Sequence, residues 1–329
     1  MLVRTLDYYA NFKCLAGACP HSCCTQWEVV LDEESAALYN NVEGALGEKL
    51  RRAMTVDEDG DTCFALQGGR CPFLDEENLC EIHRQLGQAA TSVTCQEHPR
   101  FTEDYGAFRE ITLAASCPAA NDLLLGSRDA LTVVETETAE ESEEQDEWLE
   151  ELLPMRAELL AVLCDRRWTM GQRLRDFLRL GGEMQAWLEE EEPEEMSDVL
   201  PVFPEDGFSF LAGLEMLEPD WPEILEQARA AEYAPQDEAL LERIAVYFAF
   251  RYLLKAVNDG NLLGRVRFVA FAVLAVERLA AACGLGEALR RFSCEIEHSE
   301  ENMEQLLECL TDGRLCMLPP ANDLHLCKG

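Results

Sequence analysis

At 329 residues the chain can bury one large hydrophobic core or two smaller ones, and its 48% apolar and 28% charged content is ordinary for a globular protein. A net charge of −37, from 64 acidic against 27 basic residues, opposes phosphate backbones and anionic lipid, so nucleic acid and membrane are excluded as expected partners. The same acidity suits a lysine-bearing protein partner, and it also serves plain solubility.

In chain order, residues 1–13 carry Asp7 and two tyrosines where a secretory signal would be apolar, so a cytoplasmic location is expected. Residues 1–126 read as an irregular unit of short elements. Residues 32–50 have helical character, with Asp32 placed to cap and Ala36, Ala37, Tyr39, Leu46 and Leu50 forming a face. Residues 57–60 form a turn, 79–86 a short helix stopped by Gly87, and 108–113 a short strand. The acidic run over 135–151 marks a solvated linker, placed at residues 127–146.

Residues 147–329 read as helices. Apolar residues recur at helical period over 148–164 and again over 169–190. Trp221-Pro222 opens another helix, since proline is tolerated in a first turn. Residues 237–257 and 262–283 are the longest. The second is apolar nearly all round and is expected to be the central buried helix, although its apolar run over 268–276 is too short to span a bilayer. Residues 299–310 form the last. The expected fold class is mainly α: an irregular cysteine-rich metal-binding N-terminal unit, then an all-α helical domain.

Fifteen cysteines without an export signal read as metal ligands and buried thiols rather than disulfides. Eight are ordered in the first unit: Cys14, Cys19, Cys23, Cys24, Cys71, Cys80, Cys95 and Cys117. Thiolates are soft ligands that suit zinc and iron–sulfur clusters, and short Cys pairs broken by Gly and Pro let a chain wrap such a centre. Spacing does not separate zinc from iron: paired Cys-x2-Cys knuckles are absent, and the third position of a Cys-x3-Cys-x2-Cys loop is Gln26. One four-ligand centre needs four thiolates, so several of the eight are surplus, and any single one also reads as an inert buried thiol. Cys63, Cys164, Cys283, Cys294, Cys309, Cys316 and Cys327 lie outside the pattern and are expected to be ordinary thiols.

Polar candidates are fewer. His298 and Asn302 lie four apart and share a helical face, with Glu297 beside them and Ser299 as the natural N-cap. A capped, solvated helix start explains the same segment, and on sequence alone that reading is the stronger. Trp27 follows the double cysteine and can shield a metal centre or simply pack. Arg100 and Glu110 are isolated charges near the cysteines, more often salt-bridge partners than catalysts. No phosphate loop, Gly-rich turn after a strand or His-Glu-x-x-His is present.

Tyr8-Tyr9-x2-Phe12-Lys13-Cys14, Cys19-x3-Cys23-Cys24-x2-Trp27-Glu28 and Asp32 resemble the opening of the flagellin lysine-N-methylase family. The likeness continues through Cys71-Pro-Phe-Leu-Asp75, Leu79-Cys80-x-Ile82-His83, Thr94-Cys95-x3-Pro99-Arg100, Glu110 and Ser116-Cys117-Pro118. It reaches the helical half in residues 246–252 and 295–302. The front unit is also similar to a broader group of zinc- or iron-chelating proteins. The resemblance implies methyl transfer from S-adenosylmethionine to lysine ε-amines of flagellin or a similar protein. It further implies an iron–sulfur cluster, a [4Fe–4S] centre, on the front cysteines, with zinc as the alternative. Under it, Glu110, Glu297 and His298 are candidates for the catalytic site, and Tyr9, Trp27, Arg100 and Asn302 for cofactor binding. Pro20-His21, Gln26 and His98 depart from the family's pattern, which leaves the substrate open. The rival reading is a non-enzymatic zinc or iron carrier or redox module.

Overall fold

The structure, a computed structural model, describes residues 1–25, 29–57, 60–141, 147–194, 196 and 198–317. Its strands are β1 (Leu2–Leu6), β2 (Val29–Val30), β3 (Met54–Val56), β4 (Thr62–Phe64), β5 (Arg100–Asp104), β6 (Phe108–Leu113) and β7 (Val133–Glu137). The helices are α1 (Glu33–Asn41), α2 (Gly44–Ala53), α3 (Glu81–Leu86), α4 (Val93–Glu97), α5 (Pro118–Leu125), α6 (Glu147–Leu163), α7 (Met170–Leu188), α8 (Gly207–Leu211), α9 (Trp221–Ala230), α10 (Glu238–Tyr252), α11 (Leu262–Cys283), α12 (Leu285–Phe292) and α13 (Glu300–Thr311). The protein is mainly α. Chain contacts divide it into a thiol-rich unit, Phe12–Phe101 with Cys117–Ala120, and a helical unit made of Met1–Asn11, Thr102–Ser116 and the chain from Asn121 onward. Thus Met1–Asn11 and Thr102–Ser116, expected with the cysteines, fold with the helices, because β1 and β6 pair with each other.

The thiol-rich unit holds the small antiparallel sheet β2-β4-β3. Asp32 organises two helix starts: one carboxylate oxygen accepts from Ser35 N (2.8 Å) to cap α1, the other from Val93 N (2.9 Å) at the head of α4. Those N–H donors, Val93 first, hold its carboxyl down at about 2. The single helix expected over residues 32–50 is two, because Val42 and Glu43 are extended and Gly44 takes φ +76°, where a side chain would be strained. The core packs Tyr39, Leu50, Phe64, Phe73 and Ile82 around Cys71, with Cys24 and Cys80 against them.

The helical unit carries the sheet β5-β6-β1-β7, in which β1 runs parallel to β6 (Leu2 opposite Phe108) and antiparallel to β7 (Leu6 opposite Val133). β7 lies inside the segment expected as a linker. Its residues are exposed, so its acids stay solvated, and Glu135 is tied to Arg4 at 2.9 Å. Residues 142–146 of that segment lie outside the described residues. The helix α11 matches the expected span and packs against α7, α9, α10, α12 and α13. At the α7–α11 crossing a Cβ on Gly181 would stand 2.6 Å from Val266, so glycine sets the close approach. After α12 the chain makes one π-helical turn, Ser293–Glu297, before Ser299 caps α13. Single π-turns inside helices are frequent at functional sites. Cys316 departs from the ordinary thiol expected of it: it is disulfide-bonded. Among the described residues, no helix is long and apolar enough to cross a membrane.

Candidate functional site

The eight ordered thiols share one electrostatic neighbourhood within the thiol-rich unit. Cys19 feels Cys14 and Cys24; Cys23 feels Cys14 and Cys95; Cys71, Cys80 and Cys95 all feel Cys24; Cys117 feels Cys19 and Cys14. Local backbone brings them there. Cys71 N donates to Cys24 O (2.8 Å), Cys80 caps α3 by accepting from His83 N (3.5 Å), and Cys95 N is held by the α4 cap Ser92 (3.3 Å). Burial pushes up the thiols of Cys19, Cys80 and Cys117, and those of Cys71 and Cys95 to about 12 and 11. Cys24 is the exception. The hydrogen bond from Cys23, then Ser22 and Arg70, outweigh burial and bring it down to about 7, while the same bond and burial drive Cys23 up.

Among the described residues, no three His, Cys, Asp or Glu side chains converge closely enough to hold a metal ion as they stand. The donor set nevertheless fits one in kind. The thiols of Cys19, Cys23, Cys71, Cys80, Cys95 and Cys117 resist ionisation because burial and their neighbours' charges oppose it, and a bound cation reverses both effects.

A second constellation lies in the helical unit. The Glu297 carboxylate is fully buried at the end of the π-turn. It accepts from Tyr247 Oη (3.1 and 3.0 Å), Tyr252 Oη (2.9 Å) and Ser293 Oγ (2.5 Å), and pairs with Arg251 Nε at 2.8 Å. Burial and the charge of Glu297 raise Tyr8 and Tyr247 well above the usual phenol range. Tyr252 is raised too, by burial first. Their hydroxyls are therefore protonated donors at neutral pH.

Strand β6 delivers the opposite wall. Glu110 accepts two 2.7 Å bonds from Arg156 on α6, and Thr112 Oγ1 accepts from Arg251 (2.9 Å). The strand so fixed ends where Ala115 N donates to Tyr247 Oη (3.2 Å) and Ser116 N to Ser293 Oγ (2.9 Å). Ser116 Oγ lies 2.7 Å from His298 Nε2. Burial first, then Arg251, push His298 down to about 4, so its imidazole is neutral above that pH. The result is a hydrogen-bonded circuit: Glu297, Ser293, Ser116, His298.

The named candidates fall as follows. Glu297 and His298 sit together in the circuit, and Tyr8 is buried within electrostatic reach of Glu297. Glu110 has both oxygens engaged by Arg156. Asn302 is buried with its amide holding Glu215 N, Glu215 O and Glu295 O. Tyr9 lies in a short 3-10 turn, Tyr9–Asn11, and Arg100 has its guanidinium 5.5 Å above the Phe12 ring. Trp27 lies outside the described residues. Sequence reasoning did not single out Tyr247, Arg251, Tyr252, Ser293 or Ser116. The available signal was the Tyr247-x3-Arg251 spacing, which puts two polar groups on one face of α10.

Residues 13–118 match the family described as "Putative zinc- or iron-chelating domain", a span that holds all eight ordered cysteines. The chain is 26% identical over 169 residues to a protein named lysine-N-methylase from Salmonella choleraesuis, and likewise to one from Salmonella typhimurium. In each case the match covers 48% of this chain and 40% of the relative. It is 28% identical over 140 residues to the flagellar biosynthetic protein FliU of Salmonella muenchen, covering 39% of this chain and 79% of that protein. The chain thus spans well under half the length of the two lysine-N-methylases. No solved structure matches. The resemblance to the lysine-N-methylase family stands at the level of the family.

Proposed function

We propose that this relative of the lysine-N-methylases transfers methyl groups from S-adenosylmethionine to surface lysines of flagellin or a similar protein in the cytoplasm. The observation that carries this reading is the similarity to two proteins named lysine-N-methylase. The flagellar name of the third relative supports flagellin as the substrate. A [4Fe–4S] cluster, with zinc as the alternative, would be held by thiolates drawn from Cys14, Cys19, Cys23, Cys24, Cys71, Cys80, Cys95 and Cys117.

S-adenosylmethionine, when bound, supplies an electrophilic methyl group on a sulfonium. The protein's task is to present a neutral amine to it in line. A lysine ammonium entering beside Ser116 and His298 is desolvated and meets the Arg251 cation, and both effects lower its pKa and favour transfer of its proton to water. Glu297 already receives four side-chain donors, so its role is to position Tyr247, Tyr252 and Ser293. Through Ser293 it fixes Ser116, and the Ser116–His298 pair accepts one hydrogen bond from the amine, leaving the nitrogen lone pair directed outward. Tyr9, Trp27, Arg100 and Asn302 remain the residues proposed for the methyl donor.

The chelating-domain match also favours a second reading, a non-enzymatic zinc or iron carrier. The test is the intact mass of flagellin co-expressed with and without the protein. Gain in methyl-sized steps, lost in the Ser116→Ala variant, supports methyl transfer. No gain, with metal bound and no affinity for S-adenosylmethionine, supports the carrier.

A further inference from the structure

The sheet β5-β6-β1-β7 ends on β7, which pairs with β1 on one side and leaves its other side open. The β1–β7 ladder runs without a bulge from Leu2 opposite Glu137 to Leu6 opposite Val133. Two flanking bonds fix its phase: Asp7 N to Thr132 O (2.9 Å) and Thr138 N to Met1 O (2.8 Å). In an antiparallel pair the main-chain groups of alternate residues turn toward the partner strand. Thr132, Val134, Thr136 and Thr138 therefore face β1, and the N–H and C=O groups of Val133, Glu135 and Glu137 point away from it. Among the described residues, no backbone group pairs with these. All five residues of β7 are exposed, Val133 and Val134 included, so the strand is held by its ladder to β1 rather than by burial.

An open edge is a template for another strand, and proteins commonly blunt it with proline, a bulge or lysine. β7, Val-Val-Glu-Thr-Glu, has none of these. Its charges are acidic, and that selects the partner. A second copy laid on the same edge would bring glutamates against glutamates, which is destabilising. The nearby arginines are already engaged: Arg4 by Glu135 (2.9 Å), and Arg109 by Asp104 (2.9 Å) and Glu140 (3.1 Å). Glu137 makes no ion pair among the described residues. Val133, Glu135 and Glu137 share one face of the strand, so a chain with lysine at alternate positions would lay its stems along Val133 and an ammonium at Glu137.

The edge is also well placed. β1 and β6 run parallel, and the chain leaves them for Tyr8 and for Ser116 at the circuit around Glu297. Because β7 is antiparallel to β1, its Val133 end, opposite Leu6, lies at that same end of the sheet. A chain added to β7 would run about 10 Å from β1, two strand spacings away.

We infer that the open edge of β7 takes up an extended, lysine-bearing segment of the protein substrate as an added strand. The inference rests on the reading of a lysine-bearing protein substrate and adds where a stretch of that substrate docks. Main-chain bonds at Val133, Glu135 and Glu137 supply the affinity, and the acidic edge supplies the selection.

The test is calorimetric titration of the full chain with a blocked hexapeptide of alternating lysine and threonine. A counterpart methylated on its main-chain nitrogens and one with glutamate for lysine serve as comparisons. Binding of the first and not of the other two is expected. Val133→Pro and Glu137→Pro should each weaken it about tenfold, because each removes one outward N–H and leaves the bonds to β1 in place. Equal affinity in parent and proline variants would mean diffuse attraction to an acidic surface and would overturn the inference. So would equal binding of the methylated peptide, a test that needs no change to the protein, or of the glutamate peptide, or no binding of the lysine peptide. Because the titration needs no turnover, failure of methyl transfer and failure of docking are read apart.

Discussion

Replacing Glu297 by Gln removes the buried carboxylate that pairs with Arg251 inside the helical unit. Side-chain exposure is 0% for Glu297 and 4% for Arg251, so water cannot compensate the loss. Arg251 keeps neutral partners, Tyr252 Oη and Thr112 Oγ1, each at 2.9 Å. The new amide accepts with its oxygen, but its NH₂ must face a hydroxyl that now donates, either Ser293 or Tyr247. Breaking a buried ion pair by removing one partner costs about 3–5 kcal/mol. Against a mid-range total of about 10 kcal/mol, the variant should remain folded but lose about a third to a half of its stability. Urea unfolding at neutral pH, with Glu297→Gln, Arg251→Met and the double variant, measures this. The double variant should recover part of the loss, because it removes the uncompensated charge. A loss below about 1 kcal/mol for Glu297→Gln would refute the reasoning, since that is the range of a solvated surface pair.

Acid sensitivity follows from His298. Its folded pKa is lowered from 6.5 to about 4, so between those values the unfolded chain takes up a proton that the folded chain refuses. This contribution is fully present above pH 6.5 and is lost as pH falls toward 4, reaching about 3 kcal/mol. His298→Asn should flatten that limb of the stability curve, and an unchanged slope would contradict it. Glu295, raised by burial from 4.5 to about 7, has the opposite sign: its contribution is present below pH 4.5 and fades as pH rises through 7. Glu295→Gln should therefore flatten the neutral limb in the same urea series. Gly181→Ala should cost about 1–3 kcal/mol by forcing α7 from Val266, read as a lowered urea midpoint; a neutral effect would mean the crossing relaxes freely. Stripping metal with a chelator should make the stretch Phe12–Phe101 the first to be cut in limited proteolysis, and an unaltered cleavage pattern would count against a metal-held unit.

Much of the helical unit was legible because its helices carry their own signals. Residues 262–283 are apolar nearly all round and form α11 over that span, and Ser299 caps α13 as its position suggested. Residues 32–50 misled because a face of Ala36, Ala37, Tyr39, Leu46 and Leu50 continues across a break that the backbone makes at Val42 to Gly44. The strand β1 was invisible because its five residues owe their form to partners more than a hundred residues away, at β6 and β7. The same distance hid half of the candidate site. Glu297 and His298 stood out as neighbours, but Ser116 and Tyr247 join them only through the tertiary fold. Asn302 stood out for its place on a helical face, but the sequence did not show that its amide ties the loop at Glu215 to α13 and Glu295.

The central claim is tested most directly by incubating the purified, metal-loaded protein with flagellin and S-adenosylmethionine carrying a deuterated methyl group, then mapping the peptides by mass. The account predicts deuterated methyl groups on lysine Nζ atoms, present with the parent chain and lost with Ser116→Ala. Flagellin left without label by a protein that retains its metal would contradict it.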